Sequence, residues 1–316
     1  MDRSKQKIDV IIPLYKPDKR LFTLLTKLCG QSVGINRIIL INTEEKYFEQ
    51  LVYGTPFQEK YGKYVEVYHI SKREFDHGGT RHLAVTKSDA DIFVMMTQDA
   101  LPAGETLLEK LLEPLKAEKT AVSYARQLPA EDCNITERYT RQFNYPDTSG
   151  LKKLADVPKF GIKTYFCSNV CAAYKRNVYD ELKGFTRHTI FNEDMIFAAK
   201  AIQSGYAVAY AAEACVVHSH NYTNSQQFKR NFDLGVSQAD HPEIFKGVPS
   251  EKEGKKMVAR TISRLWKSRK GKWIPYFCIQ CGCRYAGYFL GKHYAVLPDF
   301  LIRSCTSNKQ YWQSRL

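Results

Sequence analysis

Four short segments of this 316-residue sequence carry side chains that could do chemistry together. Asp99 follows the apolar run Asp91 to Met96. A carboxylate at the end of a buried strand is placed to hold a hard divalent cation, which in turn neutralises a diphosphate. The same residue type also serves as a cap or turn residue before Leu101-Pro102. Phe75-Asp76-His77-Gly78-Gly79-Thr80-Arg81 joins paired glycines, a carboxylate and an arginine. Glycines let backbone N–H groups approach phosphate oxygens, and Arg81 offers a planar fork for them; a glycine turn beside a surface arginine is the plainer reading. Asn192-Glu193-Asp194 opens an apolar-periodic stretch. One carboxylate there can act as general base, and equally Asn192 can be an N-cap with two acids complementing the helix dipole. His218 and His220 alternate after a strand-like run and so share a face, where either completes a metal site with Asp99 or serves as a structural histidine.

These residues need a scaffold, and the pattern supplies one. Asp9 to Tyr15, Arg37 to Asn42, Tyr64 to Ile70 and Asp91 to Met96 are nearly continuous apolar runs, separated by helical spacing at residues 21, 24, 25 and 28 and from Gly79 to Lys87. Strands buried on both faces and alternating with helices predict a mainly parallel sheet with helices on either side. Ligands on such a sheet bind beyond the carboxyl ends of the strands, which points to Asn42, to Phe75 to Arg81, and to Gln98-Asp99. Residues 126–165 are polar and carry Pro129, Pro146 and Pro158, so they read as a loop region on the acceptor side. A strand is expected within Phe166 to Tyr174, a helix over Glu193 to Ser204 and a further strand over Ala207 to Val217.

Charge and cysteines narrow the class. Residues 251–316 hold 14 Lys/Arg against 3 Asp/Glu, whereas the first 250 residues hold 33 against 30. A basic excess confined to one end suits a polyanion or an anionic membrane surface, and the larger part needs no such partner. Nine cysteines at no framework spacing, after the polar start Met1 to Lys7, read as reduced thiols in a cytoplasmic protein without a secretory signal. Cys278, Cys281 and Cys283 lack a second pair at zinc-site spacing. The basic tail contains no recognisable RNA or DNA module, so nucleic acid is not an expected partner.

Order and spacing together resemble a known family. Val10 to Tyr15 is similar to the opening strand of family 2 glycosyltransferases. The Arg81 segment leading to Asp99 resembles that family's arginine helix and Asp-X-Asp motif, and Asn192-Glu193-Asp194 resembles its Glu-Asp catalytic helix. Phe75 to Arg81 and Val217 to His220 resemble the bacterial rhamnosyltransferase branch, the likeness covering residues 8–225. The resemblance implies a GT-A fold (α/β, Rossmann-like) and an inverting transfer from a nucleotide diphosphate sugar, dTDP-L-rhamnose favoured over a UDP-sugar, in polysaccharide or capsule assembly. It implies Asp194 as base with Glu193 in support, and Asp99 with His220, or His218, on Mg²⁺ or Mn²⁺. Pro13, Leu14, Tyr15, Asn42, Asp76, His77, Gly78, Gly79, Arg81 and Gln98 would meet the donor. Two departures stand out: Thr97 replaces the first acid of Asp-X-Asp, and Asn42 replaces an acid that commonly meets the base. Both suit a deoxythymidine-linked deoxysugar. The altered motif also leaves room for a protein that binds a nucleotide sugar without turning it over.

The texture changes near residue 248, dividing a 1–248 catalytic part from a 249–316 basic, aromatic helical extension. Within it Trp273 to Lys292 can be written as a helix with 277, 281, 285, 288 and 289 on one side and Arg284 and Lys292 flanking. Such a helix is expected to lie in a membrane interface and to bring the enzyme, as a peripheral protein on the inner face, to a glycan or lipid-linked acceptor.

Overall fold

The computed structural model describes residues 6–313 and Arg315; the polar start, residues 1–5, lies outside the described residues. The apolar runs form β1 (Ile8–Tyr15), β2 (Arg37–Thr43), β3 (Val65–Ile70) and β4 (Ile92–Met96), followed by β5 (Leu101–Pro102), β6 (Thr120–Leu128), β7 (Gly150–Lys152), β8 (Cys171–Lys175) and β9 (Ala207–Val217). They make one nine-stranded sheet in the order β3-β2-β1-β4-β8-β6-β9-β5, with β7 paired to β9. The first four strands pair in parallel, as their apolar runs predict. β8 then runs antiparallel to both β4 and β6, while β6 and β9 are parallel. Six strands therefore point the same way, and their carboxyl ends share one edge with the start of β8. The Asp99, Phe75 to Arg81 and His218 to His220 segments follow strands that end there, and Asn169, just before β8, holds Asp194 at the same edge.

Two apolar layers fix the sheet. Alternation along β1 sends Val10, Ile12 and Leu14 to one side, where Leu24, Leu25 and Leu108 cover them. Ile11 goes to the other, with Phe93, Tyr174 and Phe197. The ring of Phe93 stacks on Tyr174 at 5.1 Å between centroids, and Phe197 meets Tyr174 edge-on at 5.5 Å. Each such side chain contributes about 1.5–3 kcal/mol by leaving water. Phe197 lies on the helix that carries Glu193 and Asp194, so this packing also holds the carboxylates in place.

Two expectations change. The span 126–165 is not a plain loop: it holds the end of β6, the helix Ile135–Asn144 and β7. The strand expected over Phe166 to Tyr174 occupies only Cys171–Lys175, because the chain before it forms a 3-10 helix over Gly161–Thr164 and a turn at Asn169 and Val170.

The helices used below are α1 (Arg20–Cys29), α2 (His77–Thr86), α3 (Ile135–Asn144), α4 (Glu193–Gln203), α5 (Asn224–Asp240), α6 (Glu251–Lys267) and α7 (Ile274–Lys292). α5 and α7 pack closely because glycines face the partner backbone. A Cβ on Gly287 would stand 2.1 Å from the Phe228 carbonyl oxygen, and one on Gly291 2.1 Å from that of Phe232. The packed face of α7 is thus not the apolar side read from the sequence. Phe277 and Tyr288 are buried, while Tyr285 and Phe289 are exposed, and Arg284 turns inward to Gln227. Among the described residues, no helix is long and apolar enough to cross a membrane.

Candidate active site

Asp99 sits in a turn beyond β4, closed by the Ala100 N–H to the Thr97 carbonyl at 3.1 Å. β5 follows at once and pairs with β9, setting Leu101 opposite Val217. That register carries Asp99 to the two histidines after β9. His218 Nε2 is 3.5 Å from one carboxylate oxygen and His220 Nε2 3.2 Å from the other. The three ligand atoms lie within 4.8 Å of one another, and the imidazole planes are perpendicular. The structure brings together both histidines, not one of the pair.

The tautomer of His218 follows from its other neighbour. Its Nδ1 is 3.0 Å from Gln127 Oε1, an atom that can only accept. Arg141 Nη1, which can only donate, stands farther from the same nitrogen at 3.4 Å, so the closer acceptor places the proton on Nδ1 and leaves the Nε2 lone pair towards Asp99. Burial, and then the proximity of His218, lowers the His220 pKa to about 4, so the His220 ring is neutral near pH 7. A carboxylate and two imidazole nitrogens within 4.8 Å of one another form a donor set that suits a divalent ion.

The carboxylate pair opens α4. Asn192 holds a left-handed backbone, φ 65°, and its side chain does not cap the helix but donates to Ser237 Oγ at 3.1 Å. The following two acids diverge. Buried Glu193 accepts from Asn169 Nδ2 at 3.1 Å and pairs with Arg81 Nε at 3.2 Å. Burial works against its charge, but Arg81 and His77 hold its pKa below the ordinary value. Among the described residues Asp194 has no ion-pair partner, and Arg81 acts on it only weakly. It accepts backbone N–H bonds from Asn169 at 2.9 Å and Met195 at 2.7 Å. Burial, and then the negative charge of Glu193, push its pKa up to about 7. Two adjacent carboxylates driven apart in this way fit distinct roles, one a fixed charge and one a proton acceptor near neutral pH.

The expected donor residues are placed variously. Tyr15 is exposed at the end of β1, whereas Leu14 points into the core beside buried Ile12. Gln98 uses both ends of its amide on the Tyr15 backbone, at 3.0 Å each, and so ties the ends of β1 and β4 together. Asn42 is wholly buried; its amide nitrogen is 3.1 Å from the Glu44 carbonyl and 3.0 Å from His69 Nδ1, and its oxygen has no partner among the described residues. Asp76 caps α2, accepting from Gly79 N–H at 2.5 Å and His188 N–H at 3.1 Å. Gly78 is required by packing, since a Cβ there would meet the Thr186 carbonyl at 1.8 Å. Arg81 reaches back to the His77 carbonyl at 2.9 Å, and burial lowers the His77 pKa to about 4. His218 and His220 open into a cavity of about 270 Å³, and Pro13 lies near the carboxyl end of β1, opposite Ile41 of β2.

Sequence reasoning missed the cationic wall of that cavity. Arg141 on α3 pairs with Glu137 at 2.6 Å and bonds Gln127; Arg284 and Arg230 come from α7 and α5. A signal existed for α3: Asn134 precedes Glu137 by three residues, and its side chain accepts from the Glu137 N–H at 2.9 Å. Ser168 and Val170 line the cavity on either side of Asn169, the residue that anchors Asp194. The Thr97 N–H donates to the Val170 carbonyl at 3.2 Å, linking this bend to the Asp99 turn.

A family model described as "Glycosyl transferase family 2" matches residues 9–183. The chain belongs to glycosyltransferase family 2. This glycosyltransferase is 40% identical over 312 residues to "O-antigen chain rhamnosyltransferase RfbN" of Salmonella typhimurium, covering 98% of this chain and 96% of that protein. It is 42% identical over 249 residues to "O-antigen chain rhamnosyltransferase WbaN" of Salmonella anatum, 78% of each chain. A mannosyltransferase from Pyrobaculum calidifontis, solved with GDP-Man and Mn²⁺, superposes with TM-score 0.57 at 13% identity over 99% of this chain and 86% of its own. TarS of S. aureus, solved with UDP, superposes with TM-score 0.52 at 13% identity over 92% and 91%. The fold of the glycosyltransferase is therefore GT-A, a mainly parallel sheet with flanking helices. The family match ends before α4 and the histidines, which fall within the span shared with the first Salmonella relative.

Proposed function

We propose that this glycosyltransferase moves L-rhamnose from dTDP-L-rhamnose to an acceptor hydroxyl, with inversion, in the assembly of a bacterial surface polysaccharide. The donor assignment is supported by likeness to rhamnosyltransferases along nearly the whole chain. The observation that carries the mechanism is the placement of Asp194, anchored by Asn169 between two residues that line the cavity of the Asp99, His218 and His220 cluster.

Asp194 takes the proton of the acceptor hydroxyl as its oxygen attacks the anomeric carbon from the face opposite the diphosphate. The new C–O bond forms as the bond from that carbon to the diphosphate oxygen breaks, and nucleoside diphosphate leaves without a proton from the protein. Asp99, His218 and His220 would hold the divalent ion, Mg²⁺ or Mn²⁺, whose bound charge stabilises the leaving diphosphate. Arg81 keeps Glu193 ionised, and that fixed charge keeps Asp194 basic. The ends of β1, β2 and β4, at Pro13, Tyr15, Asn42 and Gln98, form the nucleotide side, with the Asp76 to Arg81 segment beside it.

The tail from residue 249 serves as an interaction extension. Trp266, Val296 and Phe300 are 75%, 82% and 69% exposed in a strongly basic segment, which supports peripheral contact with an anionic membrane on its cytoplasmic side. Purified protein incubated with a panel of nucleotide sugars and Mg²⁺ or Mn²⁺ tests the reading. Nucleoside diphosphate release from dTDP-L-rhamnose alone, lost in Asp194→Asn, is the expected result. Release from a UDP-sugar overturns the donor, and donor binding without turnover in the presence of acceptor overturns the activity.

A further inference from the structure

Beside the cavity of the metal-type cluster lies a second one of about 600 Å³, with Asn144 and Phe166 forming a wall common to both. Five cations, Lys152, Lys159, Lys163, Lys256 and Arg260, line it against one carboxylate, Glu253. They come from three separate parts of the chain: β7, the segment 157–164, and α6. On α6, Glu253, Lys256 and Arg260 recur at helical spacing and so share the face turned to the cavity.

The single carboxylate is already shared. Glu253 meets Lys256 at 2.5 Å and Lys163 at 3.4 Å. Among the described residues, Lys159 and Arg260 have no carboxylate partner and instead lie over the rings of Phe160 and Phe143, at 4.9 and 5.4 Å. Lys163 also stands over Phe143, at 3.8 Å. Lys152 is held inside, donating to Tyr124 OH at 2.8 Å, to the Lys163 carbonyl at 3.3 Å and to the Phe166 carbonyl, and lying over the Tyr124 ring at 4.5 Å, so it adds charge behind the wall and not a free donor. Burial lowers its pKa to about 7, a state that a nearby anion would reverse. Like charges gathered from distant segments repel one another, and that cost is offset when an anion with several oxygens is bound among them. The aromatic rings give a sugar or an apolar chain a surface to lie on.

We propose that this second cavity binds a phosphate or diphosphate ester of the acceptor, holding the glycan so that its hydroxyl crosses the Asn144 and Phe166 wall towards Asp194. The placement of the acceptor rests on the reaction proposed above; the anion site itself does not. An acceptor esterified to a lipid and a free phosphorylated glycan present the same group, and the experiment separates them.

Calorimetric titration in EDTA compares inorganic pyrophosphate with geranyl diphosphate, on the full chain and on the Lys256→Ala/Arg260→Ala variant, with circular dichroism checking the fold. One site per chain is expected, weakened by at least about tenfold in the variant. Equal affinity for the two probes assigns recognition to the anion alone, and tighter geranyl diphosphate assigns it to the lipid ester. No binding of either probe, or equal binding by the variant, overturns the site. In transfer assays with an acceptor sugar supplied as alkyl diphosphate and as neutral alkyl glycoside, the variant should raise KM about tenfold for the first only. Equal KM changes for the two overturn the acceptor role. If no transfer occurs while variant-sensitive pyrophosphate binding persists, the activity reading falls and the anion site stands.

Discussion

Arg81 Nε lies 3.2 Å from Glu193 Oε1, with both side chains almost wholly buried, and joins the first turn of α4 to α2. The pair leaves Asp194, the next residue, as the acid that titrates near neutrality. Removing one partner of a buried pair strands the other charge, which costs about 3–5 kcal/mol. Arg81→Gln should therefore lose stability on that scale in urea denaturation, and Arg81→Lys should recover only part of it. An unchanged midpoint in Arg81→Gln would show that the pair contributes nothing.

The raised pKa of Asp194 predicts a rate that climbs with pH through about 7 and then levels, because the base acts deprotonated. Burial is the larger cause and Glu193 the second, so Glu193→Gln should move this limb to lower pH. Asp194→Asn should lower kcat by about 10²–10⁴-fold with donor affinity nearly unchanged. Its stability effect has a definite sign. A carboxyl whose folded pKa exceeds its unfolded value favours the fold below the unfolded pKa, and that contribution is lost as pH rises through the folded one. Asp194→Asn should thus raise the melting temperature at pH 8 and change it little at pH 4.

The metal-type cluster predicts loss of activity in EDTA and recovery with added divalent ion. Asp99→Asn, His218→Ala and His220→Ala should each raise the metal concentration needed for half-maximal rate. Gln127→Leu removes the acceptor that sets the His218 tautomer and should weaken metal affinity by about 10–100-fold without touching a ligand. Direct metal titration checks this, and unchanged affinity in Gln127→Leu would sink the tautomer argument.

Glycines on α7 should respond oppositely. Gly287→Ala and Gly291→Ala drive a methyl into backbone carbonyls of α5 and should cost about 1–3 kcal/mol. Gly282 has nothing within 4 Å of its missing Cβ, so Gly282→Ala should stabilise by up to about 1 kcal/mol through helix propensity. Denaturant midpoints for the three variants decide it.

Much of the catalytic scaffold was legible in the sequence because its signals are local. Near-continuous apolar runs specify buried parallel strands, and β1, β2, β3, β4 and β9 fall where those runs lie. The segments around Asp99, Arg81 and Glu193-Asp194 could be named because each follows a strand or opens a helix. The α3 region was misread because its polar residues and prolines resemble a loop. Its arginine is inward only because β6 and β9 bring Gln127 and His218 to meet it.

Residue types and periodicity by themselves determined the parallel half of the sheet and the four segments that carry carboxylate, arginine and histidine, while the family followed from the resemblance of those motifs. Tertiary structure alone decided which atoms converge. The pairing of β5 with β9 puts both histidines on Asp99, and Arg81 silences Glu193 so that Asp194 is the one left to titrate. Glycine contacts likewise chose the buried face of α7 against its apolar pattern. A periodic pattern reports what one element prefers to bury, whereas charge pairing and close backbone approach depend on a neighbour distant in sequence.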